Sequence, residues 1–206
     1  MAEVFEFRGV DNLVYAEVIT DDNETDGGYV TGTVKSLSPV ATISKEVETS
    51  SETHYYDNLP MIVINSEGAD TITATVAPLS LETLCDITGK QFDAETGMMV
   101  DGEATPKYFA LGYRTKGTDG KYRYVWRFKG QFAMPGEENN TENDGIDTTN
   151  TELTFTGIST VHKFDKYGKP AKGIVVDERI GKADLTAFFA EVTTPDTIKT
   201  KEVVGG

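Results

Sequence analysis

The chain has 206 residues, enough for one large β domain or for a domain with a small appendage. Its net charge of −15 disfavours the binding of free nucleic acid, because phosphate groups carry the same sign. The single cysteine, Cys85, excludes an internal disulfide framework. No apolar run follows a basic stretch at the N-terminus, so we expect synthesis in the cytoplasm without a signal peptide or a membrane span.

The first part of the chain predicts a series of short strands. Alternating or β-branched apolar residues place them at Val4–Phe7, Leu13–Ile19, Tyr29–Leu37, Val40–Val47, Thr53–Tyr56, Met61–Ile64 and Thr71–Val76. Asp57–Pro60 predicts a turn, and Ser66–Asp70 predicts the turn of a hairpin between the last two strands. We therefore expect a sheet with polar connections.

One segment, Leu79–Gly89, predicts a helix. Ser80 is a suitable N-cap and Gly89 a suitable C-terminal stop. The apolar stripe consists of Leu81, Leu84 and Cys85. A helix of fewer than about 12 residues is not stable alone in water, so we expect it to pack on the sheet, with Cys85 as a small buried side chain.

The strongest pattern lies between Tyr108 and Phe132 and predicts a long β-hairpin. On the second strand one face carries the aromatic side chains of Tyr122, Tyr124, Trp126, Phe128 and Phe132. Asp119–Gly120 predicts a two-residue type I′ turn, which places Trp126 opposite Tyr113, Phe128 opposite Leu111 and Tyr124 opposite Thr115. A shift by one residue is disfavoured, because it would place aromatic rings opposite Arg114 and Gly112.

Charged residues follow the same hairpin. Its other face carries a basic strip, formed by Arg114, Lys116, Arg123, Arg127 and Lys129. The loop Met134–Glu152 carries no Lys or Arg and contains Glu137, Glu138, Glu142, Asp144, Asp147 and Glu152. The strip is expected to be either a solvated outer face or a docking surface for an acidic partner. A polar loop of this length is uncommon within a compact domain and is usually functional or disordered.

The last part of the chain predicts strands at Leu153–Val161 and Gly173–Val176 and a helix at Asp184–Val192. The apolar face of that helix would consist of Leu185, Phe188, Phe189 and Val192. The polar tail from Thr193 to Gly206 is expected to stay loose until a partner orders it. The predicted organisation is therefore one β domain, residues 1–192, followed by a C-terminal tail, residues 193–206.

No motif in the sequence predicts catalysis or metal binding. His54 and His162 are not placed at metal-ligand or triad spacing, and no glycine-rich loop opens a helix. Acidic loops beginning at Asp22 and Asn140 resemble calcium loops in spacing but lack the glutamate at the twelfth position. We therefore expect no enzyme activity, no metal ion and no cofactor, and a metal-dependent hydrolase is the least favoured function.

The order of these segments resembles a known family. Strands are followed by LSLETLCDITG, then by YFALGYRTKGTDGKYRYVWRFKGQFAMPGEENNT, and then by TELTFTGI. This order, over Leu37–Phe164, resembles the major tail proteins of phages with long, flexible, non-contractile tails. The resemblance implies a mainly β fold, a β-sandwich or open barrel with one short packed helix and long loops.

The resemblance also implies a function. Tail tube subunits of that family form six-membered rings that stack into a tube in the virion, through which genomic DNA passes without specific binding. The implied partners are further copies of the same chain and other tail proteins, namely the tail terminator, tape measure and distal tail proteins. The family has no cofactor and no enzyme activity, and no contact with a membrane is expected.

Charge complementarity gives a hypothesis about the subunit interface. The strip residues Arg114, Arg123, Arg127 and Lys129 would meet the loop residues Glu137, Glu138, Glu142, Asp144 and Asp147 of a neighbouring subunit.

The alternative function is a carbohydrate-binding or adhesion module. Such a module would expose Tyr122, Tyr124 and Trp126 as a flat patch, whereas a tube subunit would bury these rings.

Overall fold

The computed structural model describes residues 4–23, 28–137 and 150–201, and within these the chain is mainly β. The strands are β1 (Phe7–Asp21), β2 (Tyr29–Thr31), β3 (Lys35–Ser36), β4 (Val40–Tyr56), β5 (Leu59–Val76), β6 (Gln91–Asp93), β7 (Met98–Val100), β8 (Phe109–Gly117), β9 (Tyr122–Phe132), β10 (Thr151–Ile158) and β11 (Gly173–Asp177). Helix α1 spans Leu81–Thr88, and a 3₁₀ turn spans Glu178–Ile180. The predicted mainly β fold with one short helix is confirmed.

The strands form one large antiparallel sheet and one small hairpin. The large sheet has the order β2-β1-β8-β9-β10-β5-β4, with β3 added to β1 and β11 added to β9. Among the described strands, β6 and β7 pair only with each other. Strand β4 ends the sheet on one side, so its outer edge is not paired with another strand of the described chain.

Both faces of the large sheet are covered, which creates two cores. The helix-side core includes Tyr15, Ile72, Leu111 and Phe155, together with Ile87 of α1. The tail-side core includes Trp126, Phe128 and Phe164, together with Phe188 and Val192 from the C-terminal segment. In the centre of the sheet, β8 is therefore buried on both sides from Phe109 to Tyr113.

The central hairpin forms, but its predicted register is wrong by one residue. Trp126 lies opposite Gly112 and Tyr124 opposite Arg114. The loop contains three residues instead of two, since Gly117 N–H donates to Lys121 O at 2.8 Å and Gly120 adopts a φ of 82°.

Packing explains why the disfavoured register is the stable one. A Cβ built on Gly112 would lie 2.9 Å from the Trp126 ring, so the glycine provides the space that the indole fills. Because both faces are buried, aromatic rings of the two strands need not share one face. A bulge on β9 between Arg127 and Gly130 also reverses the alternation, and Phe132 packs in the helix-side core.

The predicted helix near residue 80 is confirmed in its position and caps. Ser80 Oγ accepts the Thr83 N–H at 3.2 Å, and Gly89 ends the helix with a φ of 71°. Leu84 and Cys85 are buried as expected, but Leu81 is exposed and Ile87 takes its place in the core. Burial raises the pKa of the Cys85 thiol, which favours the neutral form.

The C-terminal segment differs from the prediction. Residues 186–192 form successive turns rather than a helix, although Phe188 and Val192 are buried as the predicted apolar face required. Asp184 accepts the backbone N–H and the hydroxyl of Thr186 at the start of these turns. Part of the predicted loose tail is packed, since Lys201 N–H donates to Lys182 O at 2.8 Å.

Strands β4 and β5 are much longer than the sequence predicts. The four predicted strands between Val40 and Val76 merge into two, of 17 and 18 residues. The predicted turn at Ser66–Asp70 is wrong, because these residues continue β5. The chain reverses instead at Asp57 and Asn58, with φ of 50° and 64°, within the segment predicted as a turn.

Candidate functional site

The outer part of the β4–β5 hairpin is an arm that leaves the body of the protein. We define the arm as residues 46–68. Of these, residues 49–67 pair only with each other in the described chain, since β10 covers β5 only from Asp70 to Val76. Every residue of the arm except His54 is exposed. A strand length of about 3.3 Å per residue gives the arm a reach of roughly 30 Å.

The tip of the arm exposes large apolar side chains on both of its faces. Their exposed fractions lie between 48% and 65%, and the residues are Tyr55, Tyr56, Leu59, Met61, Ile62, Val63 and Ile64. A patch of this kind on a soluble protein marks a site of interaction with another surface. A two-stranded ribbon with free edges is only marginally stable in water, which is a second reason to expect a partner.

The part of the arm between the tip and the body, residues 46–54 and 65–68, is polar and acidic. Residues 46–68 contain five acidic side chains and no Lys or Arg. The middle contains short polar side chains, and the hydroxyls of Ser50 and Ser66 hydrogen bond across the strands at 2.6 Å. Glu46, Glu48 and Glu52 stand at even positions of β4 and so share one face, which we call the glutamate face.

A buried carboxylate fixes the arm to the body. The Asp70 side chain is 2% exposed and lies 3.0 Å from Lys172 Nζ, 3.2 Å from Lys45 Nζ and 3.5 Å from Arg127 Nη1. Burial works against ionisation, but the ammonium groups of Lys172 and Lys45 outweigh it and hold the pKa of Asp70 below its usual value. Beside it, β5 bulges at Gly68 and Ala69 opposite Glu48, where a bulge bends a hairpin.

The four predicted interface cations are each paired with a carboxylate of their own chain. The pairs are Arg114 with Asp11, Arg123 with Asp177 at 3.1 Å, Arg127 with Asp70 at 3.5 Å and Lys129 with Asp21 at 2.6 Å. The side chains of Arg127 and Lys129 are only 12% and 13% exposed, so the basic strip is not a solvated outer face.

The predicted acidic partners of the strip lie mostly beyond what the structure describes. Glu137 is exposed, as an interface residue requires. Glu138, Glu142, Asp144 and Asp147 lie outside the described residues. Contact between the strip and this loop of a neighbouring subunit stays a prediction.

The aromatic rings of the central hairpin do not form an open patch. Trp126 and Phe128 are fully buried in the tail-side core, and Trp126 Nε1–H donates to Phe188 O at 2.9 Å. Tyr124 is half-buried and stacks on Phe189 with ring centroids 5.7 Å apart. The flat aromatic surface expected of a carbohydrate-binding module is therefore absent from this hairpin.

The histidines lie apart from each other, and the lysines beside α1 are already paired with a carboxylate. His54 lies 3.7 Å from Glu52 in the arm, whereas His162 Nδ1 lies 3.0 Å from Asp22 O on the body. An open groove of about 770 Å³ beside α1 contains Lys35 and Lys107, and both pair with Asp86. In the described ranges no three potential metal ligands lie together.

Comparison with known proteins leaves the family open. No protein-family model matches the chain. A search of curated proteins finds no similar sequence. Among the described residues, the longest helix has eight residues, and none is long and apolar enough to cross a lipid bilayer.

The arm was missed by the sequence analysis. Strand prediction relies on a buried face, and the arm has none, so its apolar and polar residues do not alternate in the usual way. One local pattern does indicate the hairpin that forms the arm. Asp57–Asn58 is a pair suited to a type I′ turn, and segments with β-branched residues lie on both sides of it.

Proposed function

We propose that this protein is a structural subunit that assembles with copies of itself. The observation that carries this proposal is the arm, which projects from the body and exposes seven large apolar side chains at its tip. A surface of this kind needs a partner, and an identical copy supplies one at every step. A contact between different surfaces of identical copies gives a ring where its rotation closes and an open filament where it does not.

The specific form that we propose is a tail tube subunit of a long-tailed, non-contractile phage. Rings, six-membered by the resemblance, would stack into a tube within the virion, and the genome would pass through without specific binding. Other tail proteins, such as the terminator, the tape measure and the distal tail protein, would contact the ends or the interior. A mainly β subunit with buried hairpin aromatics, and with an outer β4 edge that no other described strand pairs with, supports this proposal.

The test compares assembly of the purified full chain with that of an arm variant. Ile62→Ser combined with Ile64→Ser removes two exposed apolar side chains from the tip, 48% and 52% exposed, and so should leave the fold intact. The matched control is Ile19→Ser combined with Ile180→Ser, two isoleucines on the body that are 65% and 67% exposed. Sedimentation velocity and negative-stain microscopy measure the products.

We expect rings or tubes from the wild type and from the control, and monomers from the tip variant. Wild-type protein that stays monomeric at all concentrations would refute self-assembly. Assembly of the tip variant at the wild-type concentration would show that the arm is not the contact element.

A further inference from the structure

The body of the protein presents a second charged surface, opposite in sign to the arm. We call it the lysine turn, and its residues are Lys163, Lys166, Tyr167 and Lys169. All four are exposed, and Tyr167 is 66% exposed. The three lysines form no ion pair within residues 4–23, 28–137 and 150–201. Two acidic residues lie at the turn, Asp165 within it and Asp196, whose carboxylate binds its backbone, so the three lysines leave the turn basic.

The lysine turn is held rigidly. Phe164 is buried in the tail-side core, and its N–H and carbonyl hydrogen bond to Lys169 O and Gly168 N. The Asp196 carboxylate accepts the N–H groups of Asp165 and Lys166 at 3.0 and 2.9 Å. A surface that is ordered before binding loses little conformational entropy when a partner docks.

The arm offers matching groups that the described residues of its own chain do not neutralise. Within the described chain Glu46 and Glu48 form no ion pair, and Glu52 lies near only His54 of the same arm, at 3.7 Å. The glutamate face of β4 is flanked on β5 by Ile62 and Ile64, which lie opposite His54 and Glu52. One face of the arm thus combines carboxylates with apolar side chains, and the lysine turn combines ammonium groups with an exposed aromatic ring.

We propose that the glutamate face of the arm of one copy docks on the lysine turn of the next copy. Within the described residues, neither the three lysines nor these glutamates form an ion pair with a Lys, Arg, Asp or Glu of their own chain, so they are available for a contact between two chains. It is heterologous, since the arm of each copy engages a different surface of its neighbour, and it repeats along a stack. Charge complementarity fixes the orientation of incoming copies and speeds their association. This inference rests on the proposed self-assembly and names the contact that directs it.

Nucleic acid is the competing occupant of the lysine turn. Exposed lysines next to a tyrosine also suit phosphates, but the chain as a whole carries a net charge of −15, which repels them. The acidic arm is available at the same concentration as the lysine turn in every assembly. The observations therefore favour the arm, and DNA binding becomes an outcome of the test.

The test is a charge swap on the full-length protein. The arm variant is Glu46→Lys, Glu48→Lys and Glu52→Lys, and the turn variant is Lys163→Glu, Lys166→Glu and Lys169→Glu. Each places like charges together, and we expect the concentration needed for assembly to rise at least about tenfold. Combining all six substitutions restores opposite charges, and assembly should return to the wild-type concentration. Sedimentation velocity measures assembly, and circular dichroism verifies folding.

A matched control changes charge elsewhere by the same amount. Lys121→Glu, Lys182→Glu and Lys201→Glu alter three exposed lysines that form no ion pair in the described chain, and assembly should stay at the wild-type level. In the wild type, salt at about 0.5 M should weaken assembly by screening the pairs.

Each remaining outcome is decisive. Normal assembly of both charge-reversed variants, with the Ile62→Ser and Ile64→Ser variant still monomeric, would overturn the docking but keep self-assembly. Failure of the six-fold variant to recover would also overturn the docking. Binding of a labelled DNA duplex that the turn variant loses, with its assembly intact, would assign the lysine turn to DNA. A wild type that never assembles would refute both proposals.

Discussion

At the residue scale, the most consequential side chain is Asp70. It pairs with Lys45, Arg127 and Lys172, which come from β4, β9 and the segment before β11, at the point where the arm begins. Three cations around one buried carboxylate would repel each other without it. The residue therefore holds together the strands on which the arm is mounted, and its charge state should control stability.

We predict that Asp70→Asn lowers the free energy of unfolding by about 3 kcal/mol at neutral pH, because it removes the buried carboxylate that pairs with Lys45, Arg127 and Lys172. Urea denaturation measures the change. Asp165→Asn, which removes an exposed carboxylate without an ion pair in the described chain, should change stability by less than about 0.5 kcal/mol.

The destabilisation caused by Asp70→Asn should depend on pH in a defined direction. Because the pKa of Asp70 is lowered by folding, its contribution is complete above the unfolded-state value of about 4 and is lost as the pH falls through the folded-state pKa. The difference between wild type and Asp70→Asn should therefore be constant near neutral pH and shrink below about pH 4. A difference that grows on acidification would contradict this assignment.

At the element scale, the central hairpin shows how packing selects a register. The sequence pattern favours Trp126 opposite Tyr113, but the structure places the largest ring opposite the smallest residue, Gly112. Trp126 fills the space above Gly112 and is closed off by Phe188 from the C-terminal segment. The hairpin is thus the centre of a two-sided core instead of a wall with one wet face.

We predict that Gly112→Val lowers the free energy of unfolding by roughly 1–3 kcal/mol, because the added side chain meets the indole ring. Gly136→Val is the matched control, since no heavy atom lies within 4 Å of its Cβ position. Urea unfolding followed by Trp126 fluorescence measures both. If the register expected from the sequence were correct, Gly112 would face Arg127, and the substitution would cost no more than the control.

At the scale of the whole molecule, the protein divides into a two-core body and an arm with no core. The body buries apolar residues on both faces of its sheet, whereas the arm buries none of its own. Local stability should follow this division, because segments with few buried contacts open most readily.

We predict that backbone amides of residues 46–68 exchange with solvent faster than those of β8 and β9 in the unassembled protein. On assembly the arm amides should become protected, because a docked ribbon loses its access to water. Hydrogen exchange measured by mass spectrometry on both forms tests this, with β8 and β9 as the internal reference. Arm amides that exchange slowly in the monomer, or equally in both forms, would contradict a docking role.

The sequence by itself determined the features that depend on neighbouring residues. The helix with its Ser80 and Gly89 caps, the central hairpin and the turn at Asp57–Asn58 all follow from local rules, and the mainly β class follows from them. Tertiary structure decided the rest. The hairpin register depends on Trp126 finding space at Gly112, the turns at 186–192 on packing against Trp126, and the ion pairs of the basic strip on carboxylates more than 50 residues away along the chain. The arm also depends on tertiary structure. A strand with no buried face carries no periodic pattern in its sequence, and only the three-dimensional arrangement of the described elements shows that residues 46–68 project into solvent.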